Sequence, residues 1–261
     1  MSKPRTFRSE AIVLKRTDFG EADRLLTVYS REFGKLRAIA KGARKPQSRK
    51  TGHVDLFMRT QFLFAQGKSL PIITQAEMVE AYPALREDLL RMTHAAYMAE
   101  LLDKFAVDED PNRPLYRLLS DGLGWCATGD QLLLATRFYE LHLLSLTGFQ
   151  PQLFRCVGCN EPLKEQNQFF SAELGGVLCP SCYAQDRNGR SLTSTALKVL
   201  RYLQSRDWDT VKGLHLKRPL QTELETIMQH YLTYTLERNL KSVAFLHRLR
   251  RENKQKVASS K

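Results

Sequence analysis

Four cysteines constrain this chain more tightly than any other feature. Cys156 and Cys159 form one C-x2-C pair, Cys179 and Cys182 form a second, and nineteen residues lie between the pairs. Each pair turns two thiolates toward one point, and two such knuckles complete the tetrahedron of a zinc site. Four thiolates close the coordination shell, so the expected metal is one structural zinc per chain with no open position for an activated water. The competing readings are disulfides or an incidental cluster of thiols. Disulfides are disfavoured because the start, MSKPRTFRSE, has no apolar signal region after its charges, and cytoplasmic glutathione keeps thiols reduced. The fifth cysteine, Cys126 in GWCATG, is expected to be buried and inert.

Around these knuckles the hydrophobic period changes along the chain. From Phe7 to about Glu80, short alternating runs (FRSEAIVLKR, RLLTVYSREFG, KLRAIAKG, VDLFMRTQFLFAQG, LPIITQAEMVE) read as five strands. A unit of this size with no long helical pattern suits an OB-like barrel, whose closure removes exposed edges. Phe62 and Phe64, two apart on one strand face, are expected in its core. After Pro83, Leu85, Leu89, Ala96, Leu101, Leu102 and Phe105 recur at helical steps. Two further helices follow, the second with Asp130 as N-cap and Gly148 as C-cap. Helical patterns resume after the cysteines, beginning at Thr193 or Ser194. The fold class is therefore α+β and multidomain: an N-terminal OB-fold β-barrel, then a helical domain with an inserted four-cysteine zinc module. The divisions are 1–80 for the barrel, 81–153 and 188–250 for the two parts of the helical domain, and 154–187 for the zinc module. Residues 251–261 form a basic tail, expected to be disordered.

The 261 residues carry a net charge of +12. Residues 1–80 hold 16 basic and 8 acidic side chains, 81–150 hold 6 and 10, and 151–261 hold 18 and 10. Two basic ends flank an acidic middle, which favours an anionic partner such as nucleic acid. No run approaches the roughly 18 apolar residues of a membrane span, so no membrane partner is expected and the cytoplasm is the expected location. The basic character peaks at KGARKPQSRK, residues 41–50, read as surface with no part in the core. Alternation puts Lys35, Arg37 and Lys41 on the solvent face of a strand, opposite Leu36, Ala38 and Ala40. Arg44, Lys45, Arg49 and Lys50 continue that positive surface into a loop. The surface reads as a groove for a nucleic-acid backbone or, alternatively, as an edge strand protected by its charges.

Nothing in the sequence supplies an enzyme's parts. There is no G-x-x-x-x-G-K-[ST], H-E-x-x-H or G-x-S-x-G, and LCPSC lacks the proline order and the H-x-E of a deaminase. Glu87–Asp88 and Asp108–Asp110 read as solvated carboxylates, and His94, His142, His230 and His247 as packed or half-exposed helical residues.

Taken in order, FRSEAIVLKRTDFGEADRLLTVYSREFGKLRAIAKGARKPQSR, RFYELHLLSLTGFQP and CVGC…CPSC resemble the RecO family of bacterial recombination mediators over nearly the whole chain. GEADRLLTVYS and AKGARKPQSR are the most distinctive parts. The resemblance implies a non-enzymatic DNA-repair protein that binds single- and double-stranded DNA and anneals complementary strands. It implies that such a protein pairs with RecR, contacts the C-terminal tail of single-stranded-DNA-binding protein and helps RecA load, in the cytoplasm at the nucleoid. Arg137, beside apolar residues in TRFYELHLL, is the candidate for receiving that acidic tail. Other readings are an RNA- or ribosome-associated zinc-ribbon protein and a protein-interaction adaptor whose basic face only keeps it soluble.

Overall fold

The structure, a computed structural model, describes residues 5–48 and 50–237. Arg49, His247 and the 251–261 tail lie outside these residues. The chain divides into two compact units, residues 1–147 and 148–261.

The first unit opens with β1 (Thr6–Phe19), β2 (Asp23–Ser30), β3 (Gly34–Ala40), β4 (Arg59–Ala65) and β5 (Ile72–Glu80). They close into a barrel in the order β1-β2-β3-β5-β4, with β3 and β5 parallel and the other neighbours antiparallel. This is the five-stranded, OB-like arrangement expected from the alternating runs. Inward side chains fill the barrel: Val13, Leu26, Val28, Leu36, Ala38, Phe62, Phe64 and Ile73 are all buried in one cluster. The β3–β5 seam is thin, with one registered pair, Ile39 and Ile72, and the Ile39 amide donating to Pro71 O at 2.9 Å.

The basic stretch departs from the expectation that all of it stays outside. Ala43 is fully buried and joins the barrel core together with Val54 from the same connection. The loop is thereby pinned to the barrel from within.

Four helices complete this unit: α1 (Ala84–Glu87), α2 (Leu89–Phe105), α3 (Arg113–Thr128) and α4 (Leu132–Leu146). The phase expected for the first long helix is corrected here. Asp88 breaks α1 from α2 by taking an extended conformation and capping the Leu90 and Arg91 amides. That restart rotates the apolar face to Ala95, Met98, Ala99, Leu101 and Leu102, leaving Leu89 83% exposed and Ala96 exposed. Asp130 is not the cap of α4 either. Gln131 occupies that position without a side-chain bond, and Asp130 lies 3.7 Å from Arg91, whose guanidinium caps the Cys126 and Gly129 carbonyls. Gly148, at φ +85°, follows the C-cap Thr147.

Polar contacts join barrel to helices within this unit. Arg59 pairs with Glu10 at 2.9 Å and reaches Ser120 Oγ at 2.9 Å, while the Tyr116 hydroxyl donates to Glu10 at 2.8 Å. At the β2–β3 turn, Gly34 has φ +68°, and a Cβ there would lie 2.2 Å from the Asp110 carbonyl oxygen. Only glycine permits the acidic 108–110 segment to approach β3 so closely.

The second unit contains the cysteine segment with a three-stranded sheet, β6 (Gln168–Ser171), β7 (Gly176–Leu178) and β8 (Arg190–Leu192), ordered β7-β6-β8. It continues with α5 (Ser194–Ser205), capped by the Thr193 hydroxyl, then α6 (Trp208–Val211) and a helix over 218–237, called α7. No helix among the described residues is long and apolar enough to cross a membrane.

Candidate metal centre and nucleic-acid interface

The first knuckle forms where the chain turns back after Cys156: the Asn160 amide donates to Cys156 O at 2.8 Å, and the Cys156 amide to Glu161 O at 2.9 Å. The second begins as β7 ends. Pro180 starts a 3-10 turn over Pro180–Gln185, and the Cys182 amide donates to Cys179 O at 2.9 Å. A bond of 2.9 Å from the Val157 amide to Val177 O holds the knuckles together. Gly158 fits between them, since a Cβ would meet Cys182 Cβ at 2.9 Å.

All four Sγ atoms lie within 4.8 Å of one another, with Cys159 and Cys179 3.9 Å apart. A tetrahedron with bonds of about 2.3 Å has sulfurs about 3.8 Å apart. All are free thiols. Burial raises the Cys156 thiol, but amides donating from Cys179, Cys159 and Gly158 outweigh this and bring it down to about 6. Its neighbour Cys182 is pushed up to about 12, first by the Cys179 side chain and then by burial. Thiols so close cannot all ionise unless a cation shares their charge. The four cysteines thus fit a metal ion, with a donor set compatible with zinc.

The basic residues are less uniform than their sequence suggests. β3 alternates as expected, with Leu36, Ala38 and Ala40 inward and Arg37 exposed; Lys41 and Lys45 are exposed beyond it. Lys35 is drawn inward instead. Its ammonium lies 2.8 Å from the Asp103 carbonyl oxygen and 3.0 Å from the Asp108 carboxylate, leaving the side chain 16% exposed. Lys50 also points inward, donating to Ile73 O at 3.0 Å; burial lowers its pKa, opposed by the charge of Asp23. Arg44 lies 3.4 Å from Asp18. A cavity of about 510 Å³ is lined by Gly42, Lys45, Pro46, Gln47, Ser48 and Lys50 among the described residues.

Sequence reasoning missed the carboxylates that organise this loop. Asp23 accepts the Gly42 amide at 2.7 Å, and the Arg44 amide donates to Ala22 O at 2.9 Å. The β1–β2 turn therefore sets the loop's position, and the acidic DEDPNRP run tethers Lys35. The only sequence hint was that acidic run itself. Arg137, the candidate for receiving the acidic tail, is buried. It is 5% exposed, and its Nη2 lies 2.9 Å from Glu140, which also accepts the Tyr97 hydroxyl at 2.6 Å. A helix packed on nearly every side, as α4 is, draws even its charged residues inward.

Comparison with known proteins covers both units. The family model for the recombination protein O N terminal region matches residues 1–82, and that for its C terminal region matches residues 86–244. DNA repair protein RecO of Roseiflexus sp. (strain RS-1) is 39% identical over 248 residues, 95% of this chain and 87% of the relative. DNA repair protein RecO of Pelotomaculum thermopropionicum is 41% identical over 242 residues, 93% and 94% of the two chains. That of Desulforamulus reducens is 37% identical over 247 residues, 95% and 96%. With both family models matched in order and these relatives aligned almost end to end, the chain belongs to the RecO family of DNA repair proteins.

Proposed function

We propose that this protein is a non-enzymatic recombination mediator of the cytoplasm and nucleoid. It binds single- and double-stranded DNA through the barrel's basic face, anneals complementary strands and acts with RecR to help load RecA on strands coated by single-stranded-DNA-binding protein. The observation that carries the DNA reading is the anchored loop: Asp23, Ala22 and Ala43 hold residues 41–48 against the barrel while Arg37, Lys41 and Lys45 remain exposed. Cations presented on a fixed scaffold lose little conformational freedom on meeting phosphates. Annealing follows from screening, because neutralised backbones approach one another while base pairing supplies the sequence information.

Within the proposed set Lys35, Arg37, Lys41, Arg44, Lys45, Arg49 and Lys50, the exposed Arg37, Lys41 and Lys45 make the direct contacts. Lys35, Arg44 and Lys50 add to the field while held by protein groups, and Arg49 enters on its sequence position. The metal is one structural zinc. Contact with the acidic tail of single-stranded-DNA-binding protein is part of this reading, without Arg137 as an exposed receptor.

Binding of labelled single strands across a salt series tests the interface. Replacing Arg37, Lys41 and Lys45 together with alanine should weaken all sequences alike and flatten the slope of log K against log salt by about 0.7 per lost contact. Annealing should fall in step. A folded triple variant with an unchanged salt slope would remove the barrel face from the mechanism, and preference for a matched RNA strand would redirect the function to RNA.

A further inference from the structure

The second unit has a groove the reading above does not use. It lies between β8 and α7, encloses about 620 Å³ and is bordered by Asn188, Arg190, Ser191, Glu223, Thr226 and His230. Its carboxylates are already engaged with neutral donors. Glu223 accepts the Thr193 amide at 2.7 Å and the Thr193 hydroxyl at 2.8 Å. Asp186, buried beside the groove, accepts the Ser171 hydroxyl at 2.6 Å and the Asn188 amide at 2.9 Å. The Thr226 hydroxyl is turned back to Thr222 O at 2.8 Å.

The basic side chains are in the opposite situation. Neither the Arg190 guanidinium nor the His230 imidazole has a hydrogen-bonding or ion-pairing partner among the described residues. Burial lowers the His230 pKa and the charge of Arg190 lowers it further, against a smaller opposing effect of Asp186. The guanidinium and the imidazole thus border one opening, while the nearby carboxylates Glu223 and Asp186 bond neutral donors and neither of these two groups. An acceptor-rich anion there would take donors from the guanidinium fork and the imidazole. Phosphate suits this set because its oxygens point in several directions at once, and Arg recognises it in bidentate fashion.

We propose that this groove is a phosphate-binding site, with Arg190 supplying the fixed charge and His230 a directional donor. The phosphate is a backbone phosphodiester of a nucleic-acid strand or a free phosphate ion. The strand as ligand extends the DNA reading, since a protein that brings two strands together gains from a second place to hold backbone. The site itself does not depend on the barrel interface.

The test uses the metal-loaded full chain and the His230 ring signals, identified by their loss in His230→Gln. Inorganic phosphate should raise the His230 pKa by about one unit, the shift produced when an anion binds the imidazolium tenfold more tightly than the imidazole. Arg190→Ala should abolish that rise, with intact β6–β8 amide signals reporting a folded sheet. Replacing Arg37, Lys41 and Lys45 should leave it unchanged. If a single-stranded oligonucleotide produces the same rise, the source is a backbone phosphate; if only inorganic phosphate does, it is the free ion. A His230 signal that neither phosphate source moves, or a rise that persists in Arg190→Ala, would overturn the proposal. Failure of the barrel reading would show separately, as an unchanged salt slope in the barrel variant.

Discussion

Cys126 and Cys156 are both buried, yet their surroundings send them to opposite ends of thiol chemistry. Burial, opposed only by the charge of Arg91, pushes Cys126 up to about 12 from an ordinary 9.0. At pH 8 that leaves a thiolate fraction about a thousandfold smaller than an unperturbed thiol has. Cys126 should therefore stay unmodified by iodoacetamide at pH 8 while the protein is folded, and mass spectrometry would detect early labelling if this core opened. Cys156, surrounded by amide donors, is prepared for charge. Because each knuckle supplies two of four ligands, Cys179→Ser should lower bound metal from about one ion per chain. An unchanged content by elemental analysis would show that the four sulfurs do not act as one site.

Elements show where local pattern is enough and where it is not. The strands were legible because alternation is a property of consecutive residues: Phe62 and Phe64 both face the core as their spacing required. The C-x2-C knuckles were legible for the same reason. What could not be read depends on contacts distant in sequence. The phase of α2 turned on a cap at Asp88, and Arg137 was drawn inside because α4 packs on nearly every side. Lys35 and Lys50, indistinguishable in sequence from their exposed neighbours, found acceptors on other elements. Asp23 offers a test of this kind of coupling. Asp23→Ala removes the acceptor of the Gly42 amide, so hydrogen exchange across 41–48 should accelerate and DNA affinity should fall. Asp23→Asn keeps a carbonyl acceptor and deletes a negative charge beside Lys50, so affinity should rise at low salt. Equal effects of the two variants would mean that charge alone matters and the loop's anchoring does not.

At the scale of the whole molecule, the two units rest on different supports. The first has a closed barrel and a four-helix layer with polar contacts between them, whereas the knuckles of the cysteine segment pack through a small cluster of Cys156, Leu178 and Cys182, beside the buried Phe170 and Val177. Small cores commonly need a metal. A strong chelator should therefore abolish hydrogen-exchange protection over residues 154–185 while β1 to β4 keep theirs, and simultaneous loss would show that the units unfold together. The barrel's thin seam has a consequence of a different sort, one of timing. Ile39 and Ile72 meet in parallel across a long stretch of chain, and such contacts close late in folding. Until they do, β3 is a bare edge that a neighbouring nascent chain could extend by one more strand. Lys35, Arg37 and Lys41 stand along that edge, so the charges proposed to hold DNA in the finished protein would first keep unfinished copies from aggregating.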